Sequence, residues 1–217
     1  MSGTNEAGGT EAAHPDTQPK PSNWNVPNVL TGIRILFVPL YGWMLLSHPD
    51  DPTWRIWTTV VFIIGILTDT VDGWWARRYN LVTSFGKIAD PFADKAITGM
   101  ALVGFSILGE LPWIVTILIL IREWGITLLR FLLLRRGIVL AANKGGKAKT
   151  LLQSVAIVLY TLPLPGYVWG DPLSWSVIPE LFSWLVMAAA FVMTIVSGID
   201  YVVSTARMNR KQPEARA

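Results

Sequence analysis

The sequence predicts an all-α integral membrane protein with six transmembrane helices. Of its 217 residues, 52% are hydrophobic, and the mean hydropathy is +0.43. Charged residues make up only 15% of the chain, well below the roughly 25% that is typical of soluble domains. Apolar stretches close to the ~20 residues that span a bilayer as a helix recur six times along the chain. Eleven tryptophans fit the same class, because Trp concentrates at membrane interfaces.

The six apolar stretches are separated by short segments rich in Pro, Gly and Asp. They cover Val29–Leu46, Trp54–Trp75, Phe92–Leu108, Trp113–Leu134, Leu151–Trp169 and Ile178–Val203. We therefore expect one six-helix transmembrane catalytic domain over residues 23–206. Residues 1–22 are polar and read as a disordered cytoplasmic tail, and residues 207–217 as a basic cytoplasmic tail.

The distribution of Lys and Arg predicts the orientation in the membrane. Arg55 is alone on one side, whereas the other side collects basic residues from both tails and from two connections. These are Lys20, Arg77, Arg78, Lys87, Lys95, Arg135, Arg136, Lys144, Lys147, Lys149, Arg207, Arg210, Lys211 and Arg216. The positive-inside rule puts this second side in the cytoplasm. We expect a multi-pass protein of the inner (plasma) membrane with both termini and the active site facing the cytoplasm.

Four aspartates between positions 69 and 94 form the most informative pattern in the chain. Each could be a solvated helix cap or loop acid if taken alone. Carboxylates next to apolar segments are costly, however, so four of them at one place need a common partner. Oxygen ligands without His or Cys favour a hard divalent cation, either Mg²⁺ or Mn²⁺.

Helical geometry predicts that the aspartates meet. Asp69 and Asp72 share one helix face with Gly73 and Ala76, whose small side chains leave room for a ligand. Arg77 follows, with a planar group suited to phosphate. Asp90 precedes Pro91, so we expect Asp90 to cap a helix that begins at Pro91. Asp94 lies one turn further on the same face. Two helix ends then present two carboxylates each.

Residues 69–94 match, position for position, the signature D-x2-D-G-x2-A-R-x8-G-x3-D-x3-D. In this the chain resembles the CDP-alcohol phosphotransferase family. Segments elsewhere look like the bacterial branch that uses glycerol 3-phosphate: Asn25–Arg34, Asp90–Lys95, Arg122–Glu123 and Lys147–Gln153. The resemblance covers roughly residues 25–205.

The resemblance implies a reaction and a role for each motif residue. CDP-diacylglycerol and glycerol 3-phosphate would give phosphatidylglycerophosphate and CMP. Two Mg²⁺ or Mn²⁺ ions would be held by Asp69, Asp72, Asp90 and Asp94, and Asp94 would also remove the acceptor hydroxyl proton. The residues implied for the CDP-diacylglycerol pocket are Pro27, Asn28, Gly73, Ala76, Arg77, Thr83 and Gly86.

Charged residues inside apolar segments are candidates for binding the acceptor phosphate. Arg122 cannot be neutralised, so it needs an anionic partner. Arg122 and Glu123 could form a structural ion pair with each other. We expect them instead to contact different neighbours, because adjacent helical residues point about 100° apart. Arg130 lies two turns along on nearly the same face as Arg122. Lys149 and Arg34 complete the acceptor-binding candidates, and Lys149 belongs to a basic, Gly-rich segment, 145–150, expected to precede the fifth helix.

Three other functions remain open at this point. Two are enzymes of the same family that use a different acceptor: a cardiolipin synthase, which uses phosphatidylglycerol, or an enzyme that uses an inositol phosphate. The third is a divalent-cation transporter with the aspartates as its ion site, although the chain has no internal repeat of the kind common in transporters. The expected partners are the two substrates, membrane lipid and, as a candidate, a second copy of the chain, and we expect no nucleic acid.

Overall fold

The computed structural model describes residues 26–78, 84–135, 144–164 and 177–211, and all regular structure in these ranges is α-helical. The helices are α1 (Val26–Ser47), α2 (Pro52–Arg78), α3 (Ser84–Ile107), α4 (Trp113–Arg135), α5 (Lys144–Thr161) and α6 (Val177–Lys211). Within the described residues, the predicted all-α class and the number of helices are therefore confirmed. The predicted disordered tail, residues 1–22, lies outside these ranges.

The predicted start of the third helix is wrong. Helix α3 begins at Ser84, so Asp90 is not an N-cap and Pro91 lies inside the helix. Proline removes one backbone donor and so weakens a helix locally, but here the helix continues through it. Asp90 and Asp94 consequently lie on one continuous helix, four residues apart on one face.

The fifth helix also differs from its predicted range, 151–169. Helix α5 already begins at Lys144 and ends at Thr161, so the Gly-rich segment 145–150 forms its first turns instead of preceding it. Gly145 and Gly146 misled the prediction, because glycine is unfavourable in helices. Pro163 explains the early end, since the residue before a proline is disfavoured in the helical conformation. Helix α6 runs on to Lys211, past the domain limit predicted at residue 206.

Helix α1 packs against both α2 and α3, and small residues allow close contact. A Cβ atom added at Gly42 would lie 2.7 Å from Sδ of Met100, and one added at Gly104 would lie 2.5 Å from Cδ2 of Leu45. The buried hydroxyl of Tyr41 hydrogen-bonds Oγ1 of Thr161 over 2.9 Å, which joins α1 to α5. These contacts surround a core that includes Phe62, Ile97, Phe105, Ile119, Ile157 and Tyr160.

A network of polar contacts around Arg55 lies at the end of the bundle away from the aspartates. Asp51 caps α2, since its carboxylate accepts the backbone N–H of Thr53 over 2.8 Å. The turn after α3 is a Schellman motif with Gly109 at φ 77°, and it carries Glu110. Arg55 pairs with Glu110 and also donates to the carbonyls of Pro49, at 2.7 Å, and Tyr160, at 2.9 Å. One buried guanidinium thus joins two connections and the last turn of α5.

Burial raises the pKa of the Glu110 carboxyl, although its hydrogen bond to Arg55 opposes the shift. The desolvation of the pair therefore offsets much of its attraction. The pair fixes the geometry of this end of the bundle more than it adds net stability.

Large apolar side chains cover the outer faces of the helices. Two segments, Val29–Ser47 and Ile178–Ala206, are long and apolar enough to cross a membrane. On α6, residues spaced by seven form an exposed stripe of Ile178, Leu185, Val192 and Ile199, each 57–61% exposed. Such a continuous exposed apolar face needs an apolar environment.

Candidate functional site

The four aspartates lie on two consecutive helices. Asp69 and Asp72 lie in the last three turns of α2, and Asp90 and Asp94 lie in the first half of α3. The side chain of Asp94 is half-buried, whereas those of Asp69, Asp72 and Asp90 are outside the described part of the structure. Among the residues whose side chains are described, no cluster of three or more His, Cys, Asp or Glu side chains could hold a metal ion. The metal site therefore stays a prediction.

A close contact one turn away indicates how the two aspartate faces are arranged. A Cβ atom added at Gly65 of α2 would lie 2.8 Å from Cδ1 of Ile97 of α3. Gly65 is four residues before Asp69, and Ile97 is three residues after Asp94, so each belongs to the same helix face as its aspartate. The contact is consistent with the predicted meeting of the two aspartate pairs, which itself stays a prediction.

The CDP-pocket candidates occupy the helix ends around this point. Pro27 and Asn28 lie in the first turn of α1, Gly73, Ala76 and Arg77 near the end of α2, and Gly86 in the first turn of α3. Their side chains are not described, and Thr83 lies outside the described residues altogether. Their roles stay predictions.

A cavity of about 1120 Å³ adjoins the aspartate-bearing part of α3. Its wall includes Lys95, which directly follows Asp94, and apolar side chains such as Trp124, Leu128 and Phe131. Among the described residues, four cations (Lys95, Arg122, Arg130 and Lys149) and two carboxylates (Glu123 and Asp200) line it, so the described part of its wall has a formal charge of +2. The cavity combines an apolar wall with an excess of positive charge.

Glu123 is the centre of the charged wall. Nη1 of Arg122 donates to Oε1 of Glu123 over 2.9 Å, and Nζ of Lys149 pairs with the same oxygen. The expectation that Arg122 and Glu123 contact different neighbours is therefore wrong in part, because the long Arg side chain bends back to its neighbour. Each also has a partner of its own: Lys149 for Glu123, and Ser197, at 2.7 Å from Nη2, for Arg122. One carboxylate holds two cations that would otherwise repel each other.

The remaining acceptor candidates are divided between two places. Arg130 lines the cavity with Arg122, as expected from their shared helix face, and its guanidinium carbon lies 5.8 Å from the ring centroid of Tyr201. This is within the range of a cation–π contact. Arg34 is buried in α1, at 1% exposure, and is not part of the cavity wall. Arg122, Arg130 and Lys149 thus line the same cavity, whereas Arg34 lies outside its wall.

The sequence reasoning gave no role to α6, yet Ser197, Asp200 and Tyr201 of this helix line the cavity. The signal was available, since polar residues at i, i+3 and i+4 in an apolar helix define one polar face. The contact between α6 and Arg122 was not predicted because the two are far apart in the sequence.

Comparisons with known proteins agree with the signature in α2 and α3. The model of the family described as CDP-alcohol phosphatidyltransferase matches residues 24–209. A probable phosphatidylglycerophosphate synthase of Mycobacterium tuberculosis (strain H37Rv) is 42% identical over 184 residues, which are 84% of this chain and 82% of the relative. The CDP-diacylglycerol--glycerol-3-phosphate 3-phosphatidyltransferase of Bacillus subtilis (strain 168) is 35% identical over 191 residues, 82% of this chain and 93% of the relative.

The chain belongs to the CDP-alcohol phosphatidyltransferase family. It is therefore an enzyme that transfers a phosphatidyl group, and the resemblance seen in the sequence is confirmed. The cation transporter is excluded as the primary function.

The contact between Gly65 and Ile97 gives a test of the aspartate arrangement. Gly65→Leu should push α2 away from α3 and raise the Mg²⁺ concentration for half-maximal activity about tenfold or more, since small misplacements of catalytic groups have large effects. Ile97→Ala in the same chain should restore part of the Mg²⁺ affinity by making room for the new side chain. A folded Gly65→Leu protein with the Mg²⁺ requirement of the wild type would contradict the arrangement.

Proposed function

We propose that this enzyme transfers the phosphatidyl group of CDP-diacylglycerol to glycerol 3-phosphate and releases CMP. The observation that carries the proposal is the cavity beside Asp94, whose described wall has a formal charge of +2 that suits the phosphate dianion of this acceptor. The printed names of the relatives from M. tuberculosis and B. subtilis support it. The apolar part of the cavity is suited to the acyl chains of the lipid substrate.

We propose that all six helices span the inner membrane. Three features support this: the apolar outer faces, the basic residues collected at one end of the bundle, and the apolar segments of α1 and α6. In this orientation the aspartates, both termini and the entrance for glycerol 3-phosphate are cytoplasmic. The proposed domain spans residues 23–206, with tails at 1–22 and 207–217.

The four aspartates fit a pair of divalent cations, Mg²⁺ or Mn²⁺. Their ligand atoms are all oxygens, and the close contact between Gly65 and Ile97, one turn from an aspartate on each helix, supports the proposal. Asp69, Asp72, Asp90 and Asp94 would hold the ions, which would neutralise the pyrophosphate and stabilise the leaving CMP. Gly73, Ala76, Arg77 and Gly86, with Pro27, Asn28 and Thr83, would bind the CDP part of the donor.

The reaction assigned to these residues is one displacement at phosphorus. Asp94 accepts the proton of the acceptor hydroxyl, and the hydroxyl oxygen forms a bond to the phosphorus that carries diacylglycerol. The bond from this phosphorus to CMP breaks, and CMP leaves. Arg122, Arg130 and Lys149 hold the acceptor phosphate through their N–H groups, and Arg34 is a further candidate from α1. A base next to the reacting hydroxyl is the arrangement that proton transfer requires.

The acceptor can be tested with purified protein, CDP-diacylglycerol and Mg²⁺ in mixed micelles. CMP should be released with glycerol 3-phosphate, and not with phosphatidylglycerol or inositol phosphate. Excess chelator should stop the reaction, and Mg²⁺ or Mn²⁺ should restore it. CMP release that depends on phosphatidylglycerol would instead make the enzyme a cardiolipin synthase, and full activity in chelator would refute the metal requirement.

Arg122→Ala should raise the KM for glycerol 3-phosphate by about 30-fold or more, because removing one partner of a desolvated charge pair is costly. The KM for CDP-diacylglycerol should change far less. Arg135→Ala is the matched control, since Arg135 lies on the same helix but is exposed and outside the cavity wall. A folded Arg122→Ala protein with unchanged acceptor kinetics would remove Arg122 from the site.

A further inference from the structure

Helix α6 contacts Arg122 through two adjacent residues. Oγ of Ser197 accepts a hydrogen bond from Nη2 of Arg122 over 2.7 Å and donates one to the carbonyl of Met193 over 2.6 Å. A hydroxyl has one proton and two acceptor lone pairs. Because its proton is used within α6, the Ser197 oxygen is oriented as an acceptor towards Arg122.

Gly198 provides the space in which the Arg122 side chain lies. A Cβ atom added at Gly198 would be 2.9 Å from Cγ and 3.4 Å from Nε of Arg122. The stem of the side chain therefore packs against the backbone of α6. Any larger residue at position 198 would move the stem and with it the guanidinium.

The contact with α6 decides which donors of Arg122 remain for a ligand. Glu123 receives a hydrogen bond from Nη1, and Ser197 receives one from Nη2. An arginine has five N–H donors in a rigid planar group. The Nε–H is buried without a hydrogen-bond partner among the described residues, so one N–H on each of Nη1 and Nη2 remains for a ligand, in an orientation that α6 and Glu123 fix together. An arginine held by Glu123 alone could rotate about its long stem.

We propose that Ser197 and Gly198 form a positioning site on α6 that holds the Arg122 guanidinium ready for the acceptor phosphate. The inference rests on the proposed function and extends it to a helix remote in sequence from the signature. A side chain that is already fixed loses little conformational freedom when the ligand binds, so the site increases affinity for the acceptor without touching it.

The first test compares Ser197→Ala and Gly198→Ala with Ser183→Ala. Ser183 is the matched control, because it lies on the same helix and its hydroxyl also donates to the carbonyl four residues earlier, that of Pro179, over 2.9 Å. Ser197→Ala should raise the KM for glycerol 3-phosphate about tenfold, as expected when a hydrogen bond to a charged group is lost. Gly198→Ala should raise it to a similar extent, because the added Cβ displaces the stem of Arg122. The KM for CDP-diacylglycerol and the kinetics of Ser183→Ala should stay within about twofold.

The second test repeats the two substitutions in the Arg122→Ala protein, where they should have no further effect on the acceptor KM. Equal effects with and without Arg122 would show a general structural role and overturn the proposal, as would an unchanged KM in Ser197→Ala. If Gly198→Ala does not fold, the acceptor KM of Ser197→Ala alone decides whether the proposal holds. Wild-type protein that releases no CMP with glycerol 3-phosphate would instead refute the proposed function, so the two failures are distinguishable.

Discussion

The close approach of α2 and α3 at Gly65 is the contact on which the proposed metal site depends. It brings the backbone of α2 against Ile97, one turn from an aspartate on each helix. Carboxylates of like charge repel each other and do not bring two helices together. Packing of apolar and small residues therefore has to hold the helices. Helix α1 supplies part of it, with Gly42 against Met100 of α3 and Leu45 against Gly104 of α3. The charged site is thus built on an apolar scaffold.

The cavity likewise combines apolar packing with a group of charged side chains. Helix α4 contributes both apolar and charged side chains to its wall. Glu123 of this helix keeps Arg122 and Lys149 close to each other. Two carboxylates against four cations among the described lining residues leave an excess of positive charge, which a buried site tolerates only when an anion enters or water remains. The arrangement favours a small dianionic acceptor. At the other end of the bundle, Arg55 performs a structural task with complete backbone and carboxylate partners.

The sequence was sufficient for the fold class, the number of helices in the described part, and the family. Apolar periodicity and the spacing of the signature report these features directly. Helix boundaries were less accessible, as two Asp-Pro pairs illustrate. Asp51 and Pro52 begin α2 as the capping rule predicts, whereas Asp90 and Pro91 lie inside α3. The local sequence is the same in both cases, and tertiary packing decides between them.

Some features of the candidate site could likewise be predicted from the sequence, and others could not. The shared helix face of Arg122 and Arg130 could be predicted, because it depends only on helical spacing. The hydrogen bond from Arg122 to Glu123 and the contact with Ser197 could not. The first depends on a side-chain rotamer, and the second joins residues that are 75 positions apart in the chain.

The central claim is that the four aspartates of α2 and α3 form one two-metal site. Electron paramagnetic resonance of the protein loaded with Mn²⁺ in the presence of CDP tests this directly. We expect two Mn²⁺ ions per chain with the exchange coupling of ions about 3.5–4 Å apart, and loss of the coupling in Asp94→Asn. Magnetically isolated Mn²⁺, or a coupled pair that persists in Asp94→Asn, would contradict it.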